Sequence, residues 1–426
     1  MHLPRPHWRD PRARLARLIA RPKLVAPLLL LALLAPLGVL VHGLSGTGPG
    51  GSTPSAELAA STVVPSSYRA LPVGAGIPSG TRTWAGRSYA YSTWTSAWVT
   101  PAHSFTQLVP SWNAATPAGA WIQVLVEARS STGATSTAKD LGRWSTGDQI
   151  LKRSSAGVQA DAVARVATDT LIAGTRPLTA YRFIVRLMRT PGHGAPVVHT
   201  IGAVTSTPPA AVPTTSAPLQ RKAVSLAVPS YSQMIHRGQA PQYGGGGEAW
   251  CSPTSLSMVL GYYRRLPAAS TYAWVPGSYA DRWVDQIARM TYDYAYRGTG
   301  NWPFNTGYAA TRGTGAFVTR LASLRMAERF IRAGIPVITS IRFGSGQLSG
   351  APISATNGHL VVLVGFTAAG NPIVNDPAAP SDRTVRRVYD RAQFERAWLG
   401  GSDGMAYIVH DAAHPLPKRP AGVQNW

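Results

Sequence analysis

Apolar and polar positions alternate with a period of two along several stretches of the first half of the chain. The stretches 121–129, 158–166 and 181–187 each place apolar side chains at every second position, with Gly, Ser and Pro turns between them. This alternation is typical of half-buried antiparallel strands. We therefore predict an all-β sandwich, jelly-roll-like, over residues 70–204. The alanine-rich segment 158–172 is equally compatible with a helix.

A second region begins near residue 223, where helical spacing replaces alternation and strands follow later. Apolar residues recur at helical spacing after Cys251, and similar patterns occur at 281–290 and 321–333. Apolar strand patterns follow at 336–343, 359–366, 373–375 and 405–410. Helices followed by an antiparallel sheet are typical of an α+β domain, which we expect over residues 223–414.

Polar segments separate these regions. Residues 45–69 are rich in Gly, Ser and Thr and predict a flexible linker, and the Pro/Thr-rich residues 205–222 predict a semi-rigid linker. Residues 415–426 are treated as a tail. The second linker leads us to expect that the α+β domain folds on its own.

The first 44 residues combine an arginine-rich flank with the apolar stretch 24–44, which contains no charged side chain. That arrangement is typical of a secretory signal peptide or a signal anchor. Its two prolines would weaken a transmembrane helix, and no clean A-x-A cleavage site follows it. We expect an exported protein, secreted or at the cell surface, that contacts the membrane only through residues 24–44 if they are not cleaved.

The net charge and the aromatic residues of the sequence limit the classes of binding partner that we expect. The net charge of +23 is dispersed, and no nucleic-acid-binding module is recognisable, so nucleic acid is not an expected partner. A dispersed positive surface would favour an anionic cell-envelope polymer. Tryptophans in the first region could stack on sugars or peptides, although tryptophans in a sandwich are more often core. These tryptophans are Trp84, Trp94, Trp98, Trp112, Trp121 and Trp144. We expect a monomer.

Cys251 is the only cysteine, so an intramolecular disulfide is excluded. It is either a small buried hydrophobe or a nucleophile. The sequence CSPTS is suited to starting a helix, with Ser252 as the cap and Pro253 in the first turn, and a helix N-terminus favours the thiolate. The preceding glycines, 244–247, tolerate unusual dihedral angles and let backbone amides approach a substrate. The backbone N–H of Cys251 is then a candidate oxyanion donor.

Three further residues complete a candidate active site. Gln233, upstream in VPSYSQ, is a candidate second oxyanion donor. His359 opens an apolar strand, where a polar residue is unusual unless it has a role, and is the candidate base. Asp376, in IVNDP, is the candidate orienting acid, because a hairpin without a bulge would place it directly opposite His359. No metal site is expected, since there is no second thiol and no His-rich spacing. No cofactor is expected either.

The motifs VPSYSQ, GGEAWCSPTSLSMVLGYY, NGHLVVLVGF and IVNDP resemble those of papain-like cysteine peptidases related to the bacteriocin-processing, double-glycine leader peptidases. They are most similar to the stand-alone, secreted bacterial members. The segments 298–310 and 388–398 also look like that subfamily. The resemblance implies a papain-like fold, with Cys251 as nucleophile, His359 as base, Asp376 as orienting group and Gln233 in the oxyanion hole. Leader processing is not implied, because no transporter domain is present in the sequence.

We therefore expect a thiol hydrolase, in particular a cysteine peptidase acting on a peptide or protein substrate. Trp250, Trp302, Phe304 and Asn305 are predicted to line its cleft; the alternative is that the NWPF segment is a packed turn. Two other functions remain open. A thioester-forming acyltransferase or transpeptidase would use the same residues, and a catalytically silent cell-envelope binding protein would not need them.

Overall fold

The structure, a computed structural model, describes residues 66–426. The apolar stretch 24–44, on which the expectation of export rests, lies outside the described residues, as does most of the predicted first linker. The first strand begins at Ser66, within the range assigned to that linker.

Strands alone form the first region, between Ser66 and Ser206. They are β1 (Ser66–Pro72), β2 (Ile77–Trp84), β3 (Arg87–Thr95), β4 (Gln107–Ala115), β5 (Ala120–Ser130), β6 (Lys139–Trp144), β7 (Gln159–Ala160), β8 (Ala164–Ala167), β9 (Thr170–Ala173), β10 (Leu178–Arg189) and β11 (Val197–Ser206). One sheet has the order β1-β11-β4-β9-β8-β7 and the other has the order β2-β3-β10-β5-β6. Residues 158–172 form strands, so the helical alternative for this segment is wrong.

Both sheets of the first region share one hydrophobic core. The predicted alternation in β5 places Ile122, Val124 and Val126 in this core, and β10 adds Phe183 and Val185. In the antiparallel register, Val124 pairs with Val185 and Val126 with Phe183, so the inward faces of the two strands coincide. The prediction of a sheet-rich first region is confirmed.

The tryptophans of the first region divide into two groups. Trp112, Trp121 and Trp144 are fully buried, as expected of core residues. The remaining three, Trp84, Trp94 and Trp98, are only partly buried.

The second region combines five helices with a third sheet. The helices are α1 (Cys251–Tyr262), α2 (Trp283–Thr291), α3 (Trp302–Ala310), α4 (Leu324–Arg332) and α5 (Arg391–Ser402). The strands are β12 (Val224–Ser225), β13 (Gly315–Arg320), β14 (Val337–Phe343), β15 (Thr356–Phe366), β16 (Pro372–Asn375), β17 (Arg386–Val388) and β18 (Met405–His410). The sheet order is β13-β18-β14-β15-β16-β17, and β12 pairs with β15. The α+β prediction is confirmed, whereas the papain-like assignment stays a prediction.

The two regions share a hydrophobic joint, formed by α3 against β4. Phe304 of α3 belongs to the core of the first region, with its ring centroid 6.1 Å from that of Trp112. Gly307 makes this approach possible, because a Cβ added there would lie 2.7 Å from the indole nitrogen of Trp112. The segment 302–305 is therefore helical and interdigitates with the other region, rather than forming a packed turn.

Polar contacts continue the joint. The fully buried Arg153 of the first region donates to the carbonyl of Arg289 in α2 (2.7 Å), and Asp148 forms an ion pair with Arg289 (2.8 Å). Ser155 donates its backbone N–H to the carboxylate of Asp293. Removing the first region would expose Arg289 and Asp293 to solvent, and the independent folding of the α+β domain stays a prediction.

The segment 415–426, treated as a tail from the sequence, is packed against both regions. Its Gln424 accepts the backbone N–H of Tyr68 in β1 (2.7 Å). The ring of the buried Trp426 lies 4.8 Å from that of Phe330 in α4. No helix within residues 66–426 has both the length and the apolarity needed to cross a bilayer.

Candidate active site

Cys251 is the first residue of α1 and is partly exposed. The residue before it, Trp250, occupies the N-cap position and makes no side-chain cap. The predicted capping role of Ser252 is wrong, because its hydroxyl lies 3.0 Å from the hydroxyl of Tyr407 instead. Pro253 lies in the first turn, as predicted. With no acidic side chain in that turn, the positive end of the helix faces the sulfur.

His359 and Asp376 are in direct contact. His359 lies in β15 and is 3% exposed, and Asp376 follows β16 and is fully buried. The distance from His359 Nε2 to Asp376 Oδ1 is 2.7 Å. Because Nε2 is held in this way, Nδ1 is the ring nitrogen left for the thiol.

The predicted register of this hairpin was wrong. It placed His359 directly opposite Asp376, whereas the structure pairs Val362 with Asn375, the last residue of β16. The turn closes later along the chain than the simple count assumes, since Phe366 pairs with Pro372, and the irregularity near Gly365 reverses only part of that shift. Asp376 therefore lies beyond the ladder and reaches His359 through its side chain.

Two further groups hold the carboxylate of Asp376. The hydroxyl of Tyr389 donates to Oδ2 (2.7 Å), and the backbone N–H of Ala378 donates to Oδ1 (3.0 Å). Both oxygens are thus occupied, which orients the carboxylate toward His359. Sequence reasoning missed Tyr389. Its segment carried part of the family resemblance, but nothing in the sequence indicated which atom its hydroxyl would contact.

Gln233 starts a 3-10 turn, Gln233–His236, and is buried. Its side-chain Nε2 donates to the carbonyl of Glu248 (2.7 Å), and its backbone N–H donates to the carbonyl of Pro377 (2.8 Å). These two bonds connect Gln233 to the loop before Cys251 and to the segment after Asp376. One hydrogen of the amide Nε2 is used by Glu248, so the second is available to a ligand.

The glycine run before Cys251 is needed for close packing as well as for backbone freedom. Gly244, Gly245 and Gly246 have φ angles of 86°, 95° and 112°, which side chains rarely tolerate. At Gly247 an added Cβ would lie 2.2 Å from the carbonyl oxygen of Gln233. The run therefore lets the loop before Cys251 lie directly against the turn that carries Gln233.

Cys251, His359 and Asp376 shift one another's pKa values: that of the histidine is raised, and those of the thiol and the carboxyl are lowered. Burial acts to raise the pKa of Cys251, but the hydrogen bond and charge of His359 outweigh it and lower that pKa. Burial likewise acts to lower the pKa of His359, but the charge of Asp376 raises it well above its ordinary value. Burial acts to raise the pKa of Asp376, and the charge of His359 lowers it. The arrangement favours a thiolate beside an imidazolium.

The site opens onto one cleft of about 1010 Å³. Cys251, His359 and Gln233 line it, so the structure brings these residues together, while Asp376 lies behind His359. The first region also contributes to its wall. The contributing residues are Gln107, Ala167, Thr168, Asp169, Thr170 and Ile172.

Of the four predicted cleft residues, only Trp302 lies on the cleft. Trp250 is fully buried and donates its indole N–H to the carbonyl of Tyr243 (2.6 Å). Phe304 fills the core of the first region, and the side-chain amide of Asn305 donates to backbone carbonyls of the loop before α3. The prediction of a lining role was therefore wrong for these three residues. Within residues 66–426, no group of three or more His, Cys, Asp or Glu side chains is placed to bind a metal ion.

Comparison with known proteins gave two family matches. Residues 57–206 match the Peptidase C39 N-terminal domain, and residues 225–403 match the Peptidase_C39 like family. No curated protein matches the chain. A solved structure of infectious bursal disease virus Gt strain matches at 11% identity and a TM-score of 0.21, covering 34% of this chain and 32% of that one. The chain spans about a third of that structure's length, and a likeness of this size supports no argument. The two family matches relate this chain to the C39 peptidases, as its motifs predict.

Proposed function

We propose that this protein is an exported cysteine peptidase that cleaves peptide or amide bonds through Cys251. The observation that carries the proposal is that Cys251, which is partly exposed, and the buried imidazole of His359 line one cleft, with the buried carboxylate of Asp376 bound to that imidazole from behind. The match of residues 225–403 to a peptidase family supports the same conclusion.

In the proposed reaction, His359 Nδ1 takes the proton of the Cys251 thiol. The thiolate attacks the carbonyl carbon of the scissile bond, and the carbonyl electrons move onto its oxygen. His359 then gives its proton to the leaving nitrogen as the C–N bond breaks. Water, deprotonated by His359, attacks the resulting thioester, which releases the acid product and restores the thiol.

The oxyanion of both steps needs donors that are already in place. The Nε2 of Gln233, with its second hydrogen free, and the backbone N–H of Cys251 at the start of α1 are the proposed donors. Asp376 stabilises the imidazolium that forms in each step, and Tyr389 keeps its carboxylate oriented. An acyltransferase would follow the same steps with an amine in place of the water.

Export is part of the proposal and rests on the apolar stretch 24–44. Expression of the full chain followed by cell fractionation and sequencing of the mature N-terminus tests it. An N-terminus downstream of residue 44 in the medium is expected for a cleaved signal, and an intact N-terminus in the membrane fraction for an anchor. Intact chain in the cytoplasm would contradict the proposal.

The test of the nucleophile is the pH dependence of iodoacetamide alkylation at Cys251. We expect labelling to persist well below pH 8.5, the pKa of an ordinary thiol, because His359 favours the thiolate. In His359→Ala the profile should move to higher pH, since burial still raises the pKa and the opposing charge is lost.

A matched control is His414→Ala. His414 also contacts a carboxylate, that of Asp411 (2.7 Å), but does not line the cleft, so its loss should leave the profile unchanged. An ordinary or raised thiol pKa in the wild-type protein would instead make Cys251 structural and contradict the proposed function.

A further inference from the structure

One wall of the cleft belongs to the first region, although that region supplies none of the proposed catalytic groups. The turn between β8 and β9 reaches the cavity that Cys251 and His359 line from the other side. Thr168 at this turn adopts a φ of 54°, which gives the turn its tight shape. The first region is therefore positioned to contact a substrate bound at Cys251.

Asp169 is the charged residue of this turn, and it is only 7% exposed. Its Oδ2 accepts the backbone N–H of Trp302 at the start of α3 (2.9 Å), and its Oδ1 accepts the hydroxyl of Thr170 (3.1 Å). Two neutral donors thus hold the carboxylate at the wall of the cleft. Neither donor cancels its charge.

No cation neutralises Asp169. Within residues 66–426, no Arg, Lys or His side chain forms an ion pair with it, and the charged neighbour acting on it is a second carboxylate, Asp293. Burial, followed by that neighbour, raises the pKa of Asp169 to about 6. The carboxylate is therefore ionised at neutral pH, although burying this charge without a cation costs free energy. A cation brought by a ligand would offset that cost.

The other carboxylates that line the cleft, Glu248 and Asp403, are already paired. Arg320 contacts Asp403 (3.1 Å), and Glu248 contacts Arg237 (2.7 Å). Arg297 is exposed on a neighbouring turn of the cleft. Asp169 is thus the cleft carboxylate whose negative charge is left for a substrate.

We propose that Asp169 selects substrates that carry a cationic group, such as a lysine or arginine side chain or a free amino group, close to the scissile bond. The first region then acts as part of the substrate cleft, and the match of this region to a C39 N-terminal domain does not by itself assign it such a role. The inference rests on the proposed function, because a preference for one substrate presupposes a reaction at Cys251. Its test, however, does not require hydrolysis.

The test uses two small methanethiosulfonate reagents, one cationic (trimethylammonium) and one anionic (sulfonate), which react with the thiol of the full-length protein. The ratio of the cationic to the anionic rate is measured in the wild type and in Asp169→Asn. We expect the ratio to fall roughly three- to ten-fold in the variant, because one screened charge near the reacting thiol is removed. Asp169→Glu, which keeps the charge, should retain the wild-type preference.

Glu127→Gln is the matched control. It removes one negative charge from the same region, but Glu127 pairs with Arg182 on β10 and does not line the cleft. Its ratio should equal that of the wild type. A ratio that is unchanged in Asp169→Asn, or equally reduced in Glu127→Gln, would overturn the proposal and leave Asp169 as a contact between the regions.

A second measurement uses only the wild-type protein, in case the variant does not fold. Butylammonium and butanoate compete with iodoacetamide for the cleft, and butylammonium should slow the labelling of Cys251 more at equal concentration. Equal protection, or stronger protection by butanoate, would overturn the proposal. Because ratios of rates measured at one pH cancel the thiolate fraction, they report on charge preference whatever the pKa of the thiol, and a failure here is distinguishable from a failure of the proposed catalytic role.

Discussion

Buried charges occur in both regions of this protein, but they are arranged differently. In the first region, Asp140 accepts the side-chain amide of Gln123 (2.6 Å) and pairs with Arg143 (2.7 Å). In the second, the buried pair of His359 and Asp376 lies behind a partly exposed sulfur on an open cleft. The first arrangement pairs its charges with each other inside the protein, whereas the second leaves one imidazole nitrogen for Cys251 on the cleft.

This difference shows that burial of a charge does not by itself mark an active site. Buried polar groups are expected to be paired wherever they occur. What separates the two networks is whether the chain of hydrogen bonds ends inside the protein or at a reactive atom in a cleft. Substitutions in these two networks should therefore affect different quantities, stability for Asp140 and reaction rate for Asp376.

The largest expected effect is the loss of hydrolysis in Cys251→Ala. Removing the nucleophile should lower kcat/KM by at least about 10⁴-fold, because only binding and the oxyanion donors remain. The measurement is hydrolysis of a peptide library, with thermal unfolding as the control for folding. A folded Cys251→Ala protein that retains activity within ten-fold of the wild type would show that the thiol is not the nucleophile.

The next effect compares one buried carboxylate from each region. Asp376→Asn should lower kcat/KM by about 10²–10⁴-fold, because the imidazolium loses its counter-charge. Asp140→Asn should leave the rate unchanged and lower the free energy of unfolding by about 1–3 kcal/mol, since it weakens a buried network. Peptide hydrolysis and chemical denaturation of both variants give the two quantities.

Equal effects of these two substitutions on the rate would contradict the distinction between the two networks. The distinction would also be contradicted if Asp376→Asn lost activity only because a smaller fraction of the protein is folded. A fraction-folded correction at the assay temperature separates these cases. Asp376→Asn keeps an acceptor for the Ala378 N–H, which limits the structural damage.

Sequence patterns predicted which side chains are buried better than they predicted which groups those side chains contact. The alternation in β5 and β10 predicted the inward faces of the first region, and a histidine at the start of an apolar strand led to His359. Tyr389 was missed because no local pattern indicates that its hydroxyl contacts Asp376. The hairpin register was wrong because the apolar pattern does not indicate where the turn closes, which the structure places so that Phe366 pairs with Pro372.

The error at Phe304 has a different cause. Its apolar character predicted that the side chain is buried, but an apolar residue does not indicate which part of the molecule it packs against. Phe304 fills the core of the first region instead of lining the cleft. The same limit applies to the contacts between the two regions. A proline-rich linker indicates a chain connection and says nothing about the surface that α3 presents to β4.

The smallest expected effect on the rate concerns this joint. Phe304→Ala should lower the free energy of unfolding by about 3–5 kcal/mol, since a fully buried aromatic ring is removed. Phe330→Ala, which removes a ring packed on Trp426 within the second region, should cost a similar amount. The rate should change less than ten-fold in either case, because neither ring lines the cleft.

The two variants should differ in how they unfold. Phe304 contributes to the joint, so its loss should separate the melting of the two regions into two calorimetric transitions, whereas Phe330→Ala should keep the number seen in the wild type. Iodoacetamide labelling followed through the melt would report which transition exposes Cys251. A single unchanged transition in Phe304→Ala would mean that the polar contacts of Arg153 and Asp148 suffice to couple the regions, and the hydrophobic joint would then contribute stability without cooperativity.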